Sequence, residues 1–106
     1  MLKNQYIVAE NQLGKYCVPV SSSYTYTSQA ILNGNVHEPD TIRFIAENSG
    51  DGHIVHAGTG FGDFLPGIAN SCKATIWTFE PNQENYFCAK KTIELNKLAN
   101  VNLFNV

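Results

Sequence analysis

A glycine-rich turn between two apolar strands constrains the fold of this 106-residue chain more than any other feature. The first strand, Ile54–Ala57, runs into Gly58–Gly62, where glycine stands at every second position. An apolar helix is predicted over 61–72 and a second strand over 74–79. Glycine has no Cβ, so the backbone can turn sharply here and a ligand can approach it closely. The order strand, turn, helix and strand predicts two parallel strands joined by a helix.

The segments on either side extend this alternation. An N-terminal β-hairpin is predicted from two strands, Gln5–Glu10 and Lys15–Val20, joined by a four-residue loop. Residues 21–29 have no clear period and are predicted to form an irregular connector. Apolar periodicity and capping residues predict three further elements: a helix from Pro39 or Asp40 to the glycines at 50 and 52, a helix over 82–97, and a strand over 101–106.

Together these elements predict an α/β fold in which a β-hairpin precedes a parallel sheet of three strands. We divide the chain into residues 1–36, the hairpin and connector, and residues 37–106, the first half of a Rossmann-like domain. Trp77 and Phe79 alternate on one face of the second strand and are expected in the core. His53 and His56, three apart on a strand, should point to opposite faces, so no metal site is predicted.

Composition and charge argue against several classes of partner. Hydrophobic residues make up 43% of the chain and charged residues 15%, as expected for a folded domain. The net charge of -2 gives no electrostatic reason to bind nucleic acid or an anionic membrane. Because the N-terminus lacks the apolar stretch of a signal peptide or membrane span, a cytoplasmic protein is expected. Cys17, Cys72 and Cys88 are odd in number and far apart, which favours buried free thiols over a disulfide framework.

An acidic residue follows the second strand at the spacing of a ribose site. Glu80 lies 20 residues after Gly60, where a carboxylate in such a sheet accepts hydrogen bonds from both ribose hydroxyls of an adenosine. The dinucleotide pattern G-x-G-x-x-G fails because Asp63 takes the place of its third glycine, and no Gly-Lys pair forms a phosphate loop. Since Asp63 would repel a pyrophosphate, a cofactor without phosphates fits better. S-adenosylmethionine has none, and its positive groups suit an acidic neighbour.

Structural interpretations of the same residues remain open. The glycine turn can be a plain tight connection, Glu80 a solvated acid near a helix start, and Asp63 a helix cap or a first-turn charge. No Ser/His/Asp or Cys/His group can be assembled from the sequence, so no catalytic residue is assigned.

Four stretches of the chain carry a family resemblance. They are His37–Thr41, His56–Phe64, Phe79–Asn82, and Glu94–Leu98 with Asn100 and Val101. In this order, over roughly residues 36–106, they resemble the FkbM family of class I S-adenosylmethionine-dependent methyltransferases. The resemblance implies a cofactor site made of His56, Gly58, Thr59, Gly60, Gly62, Glu80 and Pro81. Glu80 would bind the ribose, and His56 stands where the family usually has an aspartate that orients the methionine end.

The implied activity is methyl transfer from S-adenosylmethionine to an acceptor, a small molecule or a glycan, that the sequence does not identify. The family's adenine-contacting acid, its later strands and its acceptor-binding residues would lie beyond Val106. We therefore expect an N-terminal, truncated portion of a methyltransferase, which need not be active by itself.

An alternative hypothesis follows from the predicted sheet. Three parallel strands leave an unpaired edge, which favours pairing with another strand. The chain would then be a non-catalytic α/β module that self-associates, or binds a partner, through this edge. A third hypothesis, a nucleotide-binding fragment related to dehydrogenases, is disfavoured by Asp63.

Overall fold

A computed structural model describes residues 5–106. Its elements follow in the order β1 (Tyr6–Asn11), β2 (Gly14–Pro19), a 3-10 turn (Val20–Ser22), α1 (Tyr26–Leu32), α2 (Pro39–Ser49), β3 (His53–Ala57), α3 (Leu65–Ser71), β4 (Thr75–Phe79), α4 (Gln83–Asn96) and β5 (Val101–Phe104). Strands β3, β4 and β5 form a parallel sheet in that order, and β1 and β2 form a separate antiparallel hairpin. The predicted α/β fold, with a hairpin before three parallel strands, is confirmed.

The three helices that flank the sheet pack on one of its faces. Ile42 of α2 and Leu65 and Ile68 of α3 share a buried cluster with Ile76 of β4, and Ile93 of α4 packs against it. The cluster forms because the apolar stripe of each helix meets the side chains that alternate inward along the strands. The sheet therefore has one covered face and one open face.

The open face of the sheet carries Val55, Trp77, Phe79 and Phe104. Val55 is 74% exposed and Phe104 is 42% exposed. The rings of Trp77 and Phe79 stack on Phe104, with centroids 6.4 and 5.4 Å from it. The prediction that Trp77 and Phe79 belong to the core is wrong, because the helices cover the other face, where Ile76 is buried.

Local hydrogen bonds explain two departures from the sequence prediction. The hairpin loop has two residues, Gln12 and Leu13, rather than four, since the Asn11 side chain accepts the N–H of Leu13 at 2.8 Å. The predicted irregular connector is wrong from Tyr26 onward, where α1 begins. Thr25 caps this helix by accepting the N–H of Ser28 at 3.2 Å.

Helix α3 is shorter than predicted. It begins at Leu65 instead of Phe61, because Gly62 adopts a φ of +87° that a helix cannot contain. Residues 61–64 are a continuation of the glycine turn. The later prediction of Asn82 as the cap of α4 is confirmed, since its side chain accepts the N–H of Asn85 at 2.9 Å.

Two side chains of α4 fasten the hairpin to the rest of the molecule. Thr92 Oγ1 accepts the N–H of Cys17 at 3.0 Å and donates to the carbonyl of Phe61 at 2.9 Å. The Asn96 side chain bonds both the N–H and the carbonyl of Lys15, at 2.9 and 2.7 Å. Because Thr92 is fully buried, it joins β2, α4 and the glycine turn away from competing water.

The structure shows whether the three cysteines are free, as the sequence predicts. All three cysteines are free, Cys17 and Cys88 being buried and Cys72 half-buried, which confirms the prediction of free thiols.

Within residues 5–106, no helix is both long enough and apolar enough to cross a membrane.

The position of Thr92 yields a stability prediction. Thr92→Val keeps the shape of the side chain but leaves the Cys17 N–H and the Phe61 carbonyl buried without a partner. We expect the free energy of unfolding to fall by about 2–4 kcal/mol in urea denaturation. Thr92→Ser, which retains the hydroxyl, is the matched control and should lose less. Equal losses in the two variants would show that packing, and not the hydroxyl, matters here.

Candidate functional site

A cavity of about 320 Å³ opens beside the glycine turn. One wall is backbone of the turn after β3, contributed by Gly58, Thr59, Gly60 and Phe61. Its volume is at the lower end of the range for small-molecule sites. The sheet thus presents its candidate site at the carboxyl end of β3, where ligands of parallel α/β folds bind.

Another part of the lining is a set of hydroxyl side chains around the start of α1, namely Ser22, Thr25, Thr27 and Ser28, of which the last two lie in the first turn of the helix. Thr25 Oγ1 donates to Ser28 Oγ at 2.9 Å. Thr27 Oγ1 lies 3.2 Å from His37 Nε2, which fixes this part of the lining against the start of α2. Sequence reasoning missed these residues because it treated the segment as a connector. The cap pattern of Thr25 and Ser28 was the available signal.

The glycine turn is held by hydrogen bonds within the chain. The N–H groups of Gly58 and Thr59 both donate to the carbonyl of Phe79, at 2.8 and 3.0 Å. Gly60 N–H donates to Glu80 Oε1 at 2.8 Å, and Gly62 N–H donates to the carbonyl of Thr59 at 3.0 Å. These four N–H groups already have acceptors. The turn can therefore fit a ligand by its shape, but it does not present the set of free N–H donors that binds a phosphate.

Glu80 is the anchor of the turn. Its side chain is buried, with 6% of the residue exposed. One carboxylate oxygen accepts the N–H of Gly60 at 2.8 Å, and the other accepts the N–H of Asn82 at 2.9 Å. Each oxygen keeps a second lone pair for another donor. Glu80 lies behind the turn and outside the lining of the cavity.

The structure separates the seven residues predicted for the site. Gly58, Thr59 and Gly60 line the cavity, and the other four lie around it: His56, Gly62, Glu80 and Pro81. Gly62 serves packing, since a Cβ there would approach the Leu65 side chain to 3.2 Å. Pro81 is exposed beside Glu80.

His56 is half-buried on the covered side of β3. Its ring stacks on Phe64 with centroids 5.7 Å apart, and Nδ1 lies 3.2 Å from Thr78 Oγ1. Burial lowers the pKa of His56, so its imidazole is neutral at pH 7. His53 lies on the open face, where its Nδ1 accepts the Trp77 Nε1–H at 2.9 Å. The prediction that the two histidines face opposite sides is confirmed.

Asp63 supplies the acidic side chain of the cavity lining. Burial raises its pKa from 3.8 to about 6, while His37 and a hydrogen bond from the backbone N–H of Asp63 itself lower it, and Glu38 raises it, by smaller amounts. None of the ion pairs formed within residues 5–106 involves its carboxylate. Thr59, 1% exposed in the same lining, has a buried hydroxyl without a hydrogen-bond partner. An acid without a cation and a hydroxyl without a partner are both features of a site that receives a polar ligand.

Asp63 should make stability depend on pH. Because its folded pKa of about 6 exceeds 3.8, the folded state holds this proton more tightly, and stability falls as pH rises between these values. We expect Asp63→Asn to remove this loss and to raise the free energy of unfolding above pH 6 by up to about 3 kcal/mol. Urea denaturation from pH 4 to 8 measures it.

The neighbouring groups that affect the carboxyl, His37, Glu38 and Tyr16, are the same in both proteins. Their interaction with the carboxylate is lost with it, so the difference between the two pH profiles measures Asp63 together with its coupling to these groups. A variant less stable than the wild type at pH 7 would contradict a destabilising role of this acid.

Comparison with solved structures defines the class of fold. The chain is similar to M. jannaschii TYW2 in complex with AdoMet, with a TM-score of 0.70 and 19% identity, over 98% of this chain and 44% of that one. It is also similar to aTrm5 in complex with tRNALeu, with a TM-score of 0.71 and 16% identity, over 100% and 29% of the two chains. A third similar structure is the Pyrococcus abyssi tRNA (uracil-54, C5)-methyltransferase in complex with S-adenosyl-L-homocysteine (TM-score 0.63, 20% identity, 93% and 23% coverage).

These similarities show that the chain has the Rossmann-like α/β fold that these structures share, two of which are complexes with AdoMet or S-adenosyl-L-homocysteine. The chain spans less than half the length of each of the three structures. No family model matches the chain, and no curated protein matches it.

Proposed function

We propose that this chain is part of an S-adenosylmethionine-dependent methyltransferase, with residues 37–106 as the first half of the cofactor-binding domain. The observation that carries the proposal is the glycine turn, held against the end of β4 by buried Glu80 and facing a cavity. In the fold of the chain, this is the place where parallel strands end and ligands bind.

The hydrogen bonds of the turn favour a cofactor without phosphates. Four N–H groups of the turn are already used within the chain, and Asp63 adds negative charge to the lining. A dinucleotide would place its pyrophosphate against both features. S-adenosylmethionine has no phosphate and carries an ammonium and a sulfonium group.

The proposed cofactor contacts follow from the geometry of the turn. Gly58, Thr59 and Gly60 form the wall that the cofactor would touch. The free lone pairs of Glu80 would accept the ribose hydroxyls after a small opening of the turn, with Pro81 beside it. His56 and Gly62 would not touch the cofactor. They would support the cavity wall, His56 by stacking on Phe64 and Gly62 by its close packing against Leu65.

We propose FkbM as the family within this class, a proposal supported by the four sequence stretches named above. The acceptor we propose is a small molecule or a glycan and not a nucleic acid, because a net charge of -2 does not favour a phosphate backbone. Methyl transfer is an in-line displacement at the sulfonium carbon, in which positioning of the two reactants supplies much of the rate. We assign no base to the acceptor.

The cofactor proposal predicts binding of S-adenosylmethionine and S-adenosylhomocysteine, but not NAD, in titration calorimetry. A Cβ at Gly60 would meet no atom of the chain, so Gly60→Ala would place a methyl group at the cavity wall. We expect a loss of affinity of about tenfold or more, because close approach of the cofactor to the backbone is blocked.

Gly50→Ala is the matched control for this variant. Gly50 has a φ of +55° against +60° for Gly60, and a Cβ there also meets no atom, but it lies at the end of α2. Alanine strains the backbone at both positions, and thermal unfolding of each variant measures that strain separately from the affinity. Equal affinities of the two variants would remove Gly60 from the site, and a wild type that binds no nucleoside would end the cofactor proposal.

The open face of the sheet favours a second candidate function, a non-catalytic module that self-associates. Val55 is 74% exposed beside Trp77 and Phe104, and within residues 5–106 the outer edge of β3 has no paired strand. An apolar face continuous with a free edge is a surface that another chain can cover.

This candidate predicts dimers in sedimentation equilibrium at increasing protein concentration. Val55→Lys places a charge on the open face and should shift the protein to monomer, while Lys90→Glu, on the exposed surface of α4, should not. A protein that stays monomeric at all concentrations would contradict self-association and leave cofactor binding unaffected.

A further inference from the structure

One acidic side chain lines the cavity within residues 5–106, and it is Asp63. The remainder of the lining is backbone, hydroxyl groups, the Phe61 ring and the amide of Asn85. The cavity therefore holds a single centre of negative charge among neutral polar groups. Such a site favours a ligand that places a cationic group beside Asp63.

The chain itself does not neutralise this carboxylate. The charged and titratable groups that affect it are His37, Glu38 and Tyr16, and none forms an ion pair with it. His37 bonds instead to Thr27 and Glu38, at 3.2 and 3.3 Å. The cation that would complete the site has to come from a ligand.

A second group in the lining also lacks a partner. The Thr59 hydroxyl is buried and makes no hydrogen bond, although the adjacent N–H groups of the turn are all satisfied. A buried hydroxyl without a partner costs about 1–3 kcal/mol, and a ligand that bonds to it removes this cost. A ligand that satisfies both residues must donate a hydrogen bond to the Asp63 carboxylate and form another with the Thr59 hydroxyl.

We propose that Asp63 accepts a hydrogen bond from the α-ammonium group of S-adenosylmethionine, an assignment that rests on the function proposed above. The ammonium group brings the positive charge that this carboxylate lacks, and it adds N–H donors to the one backbone N–H, that of Asp63 itself, which the carboxylate already accepts. The sulfonium is also positive but donates no hydrogen bond. The adenine and ribose are neutral and cannot balance the charge.

The same assignment explains how the site works without an acid at position 56. His56 is neutral, stacked on Phe64 and bonded to Thr78, and it lies outside the lining. Asp63 supplies negative charge to the cavity from the other end of the turn. Ser28 lines the same cavity, and its hydroxyl, which accepts from Thr25 Oγ1, keeps its own proton to donate to the α-carboxylate of the same amino-acid end.

Two nucleosides that differ in the amino-acid end test the assignment. S-adenosylhomocysteine carries the α-ammonium and a neutral sulfur, whereas 5′-methylthioadenosine lacks the whole amino-acid end. In titration calorimetry at pH 7.5, we expect Asp63→Asn to weaken S-adenosylhomocysteine by about 10- to 100-fold. Its affinity for 5′-methylthioadenosine should stay that of the wild type.

Asp40→Asn is the matched control, because it makes the same change in charge at a side chain that is 90% exposed on α2. It should leave both affinities unchanged, and thermal unfolding of each variant shows that it is folded. An unchanged affinity of Asp63→Asn for S-adenosylhomocysteine overturns the assignment. So does an equal loss for both nucleosides, which would mean that Asp63 shapes the cavity, or a loss seen only with S-adenosylmethionine, which would place Asp63 at the sulfonium.

The outcomes separate this assignment from the proposed function. If the wild type binds both nucleosides and Asp63→Asn binds them with the same affinities, the role of Asp63 is refuted and the proposed cofactor binding stands. A wild type that binds neither nucleoside refutes both.

Discussion

The buried carboxylate of Glu80 is the constraint on which the site depends. It accepts hydrogen bonds from the N–H groups of Gly60 and Asn82, so one side chain fixes both the glycine turn and the residue that caps α4. A buried carboxylate is costly unless its oxygens are hydrogen-bonded, and two backbone donors meet that requirement. The turn is therefore shaped before any ligand arrives, which lowers the cost of binding. For the same reason a change at Glu80 disturbs fold and ligand together, whereas a change at Gly60 adds bulk to the cavity wall.

Local periodicity was sufficient to predict the elements but not their environment. Alternation along β3 placed His53 and His56 on opposite faces, and Asn82 was recognisable as a cap, because both depend on neighbours in sequence. Which face of the sheet is covered depends on three helices from distant segments, so Trp77 and Phe79 were placed in the core incorrectly. Helix α1 was missed because its polar start conceals a short helix held by tertiary contacts.

The candidate site shows the same division between local and distant causes. Glycine spacing and the distance to Glu80 identified one wall of the cavity from the sequence. The hydroxyl residues were missed, because the cap pattern of Thr25 and Ser28 indicates where α1 begins but not that this helix start lies beside the glycine turn. From the sequence, Asp63 was a break in a dinucleotide pattern, a possible cap or first-turn charge, and an acidic neighbour for a positively charged cofactor. Its raised pKa comes from burial, which no nearby residue in the sequence reveals. An acid kept at a cost in stability is a feature of function more than of folding.

The two surfaces that remain available to partners are physically independent. The cavity lies beyond the carboxyl end of β3 and is lined by the glycine turn and the start of α1, whereas the open face lies along the strands. Side chains alternate across a strand, so Val55 points away from the sheet face on which the helices pack. The contacts that hold the turn are on the side of the sheet that the helices cover. Effects of changes at such separated positions should add. Nucleoside binding and self-association can consequently be measured one without the other, and the presence of either does not imply the other.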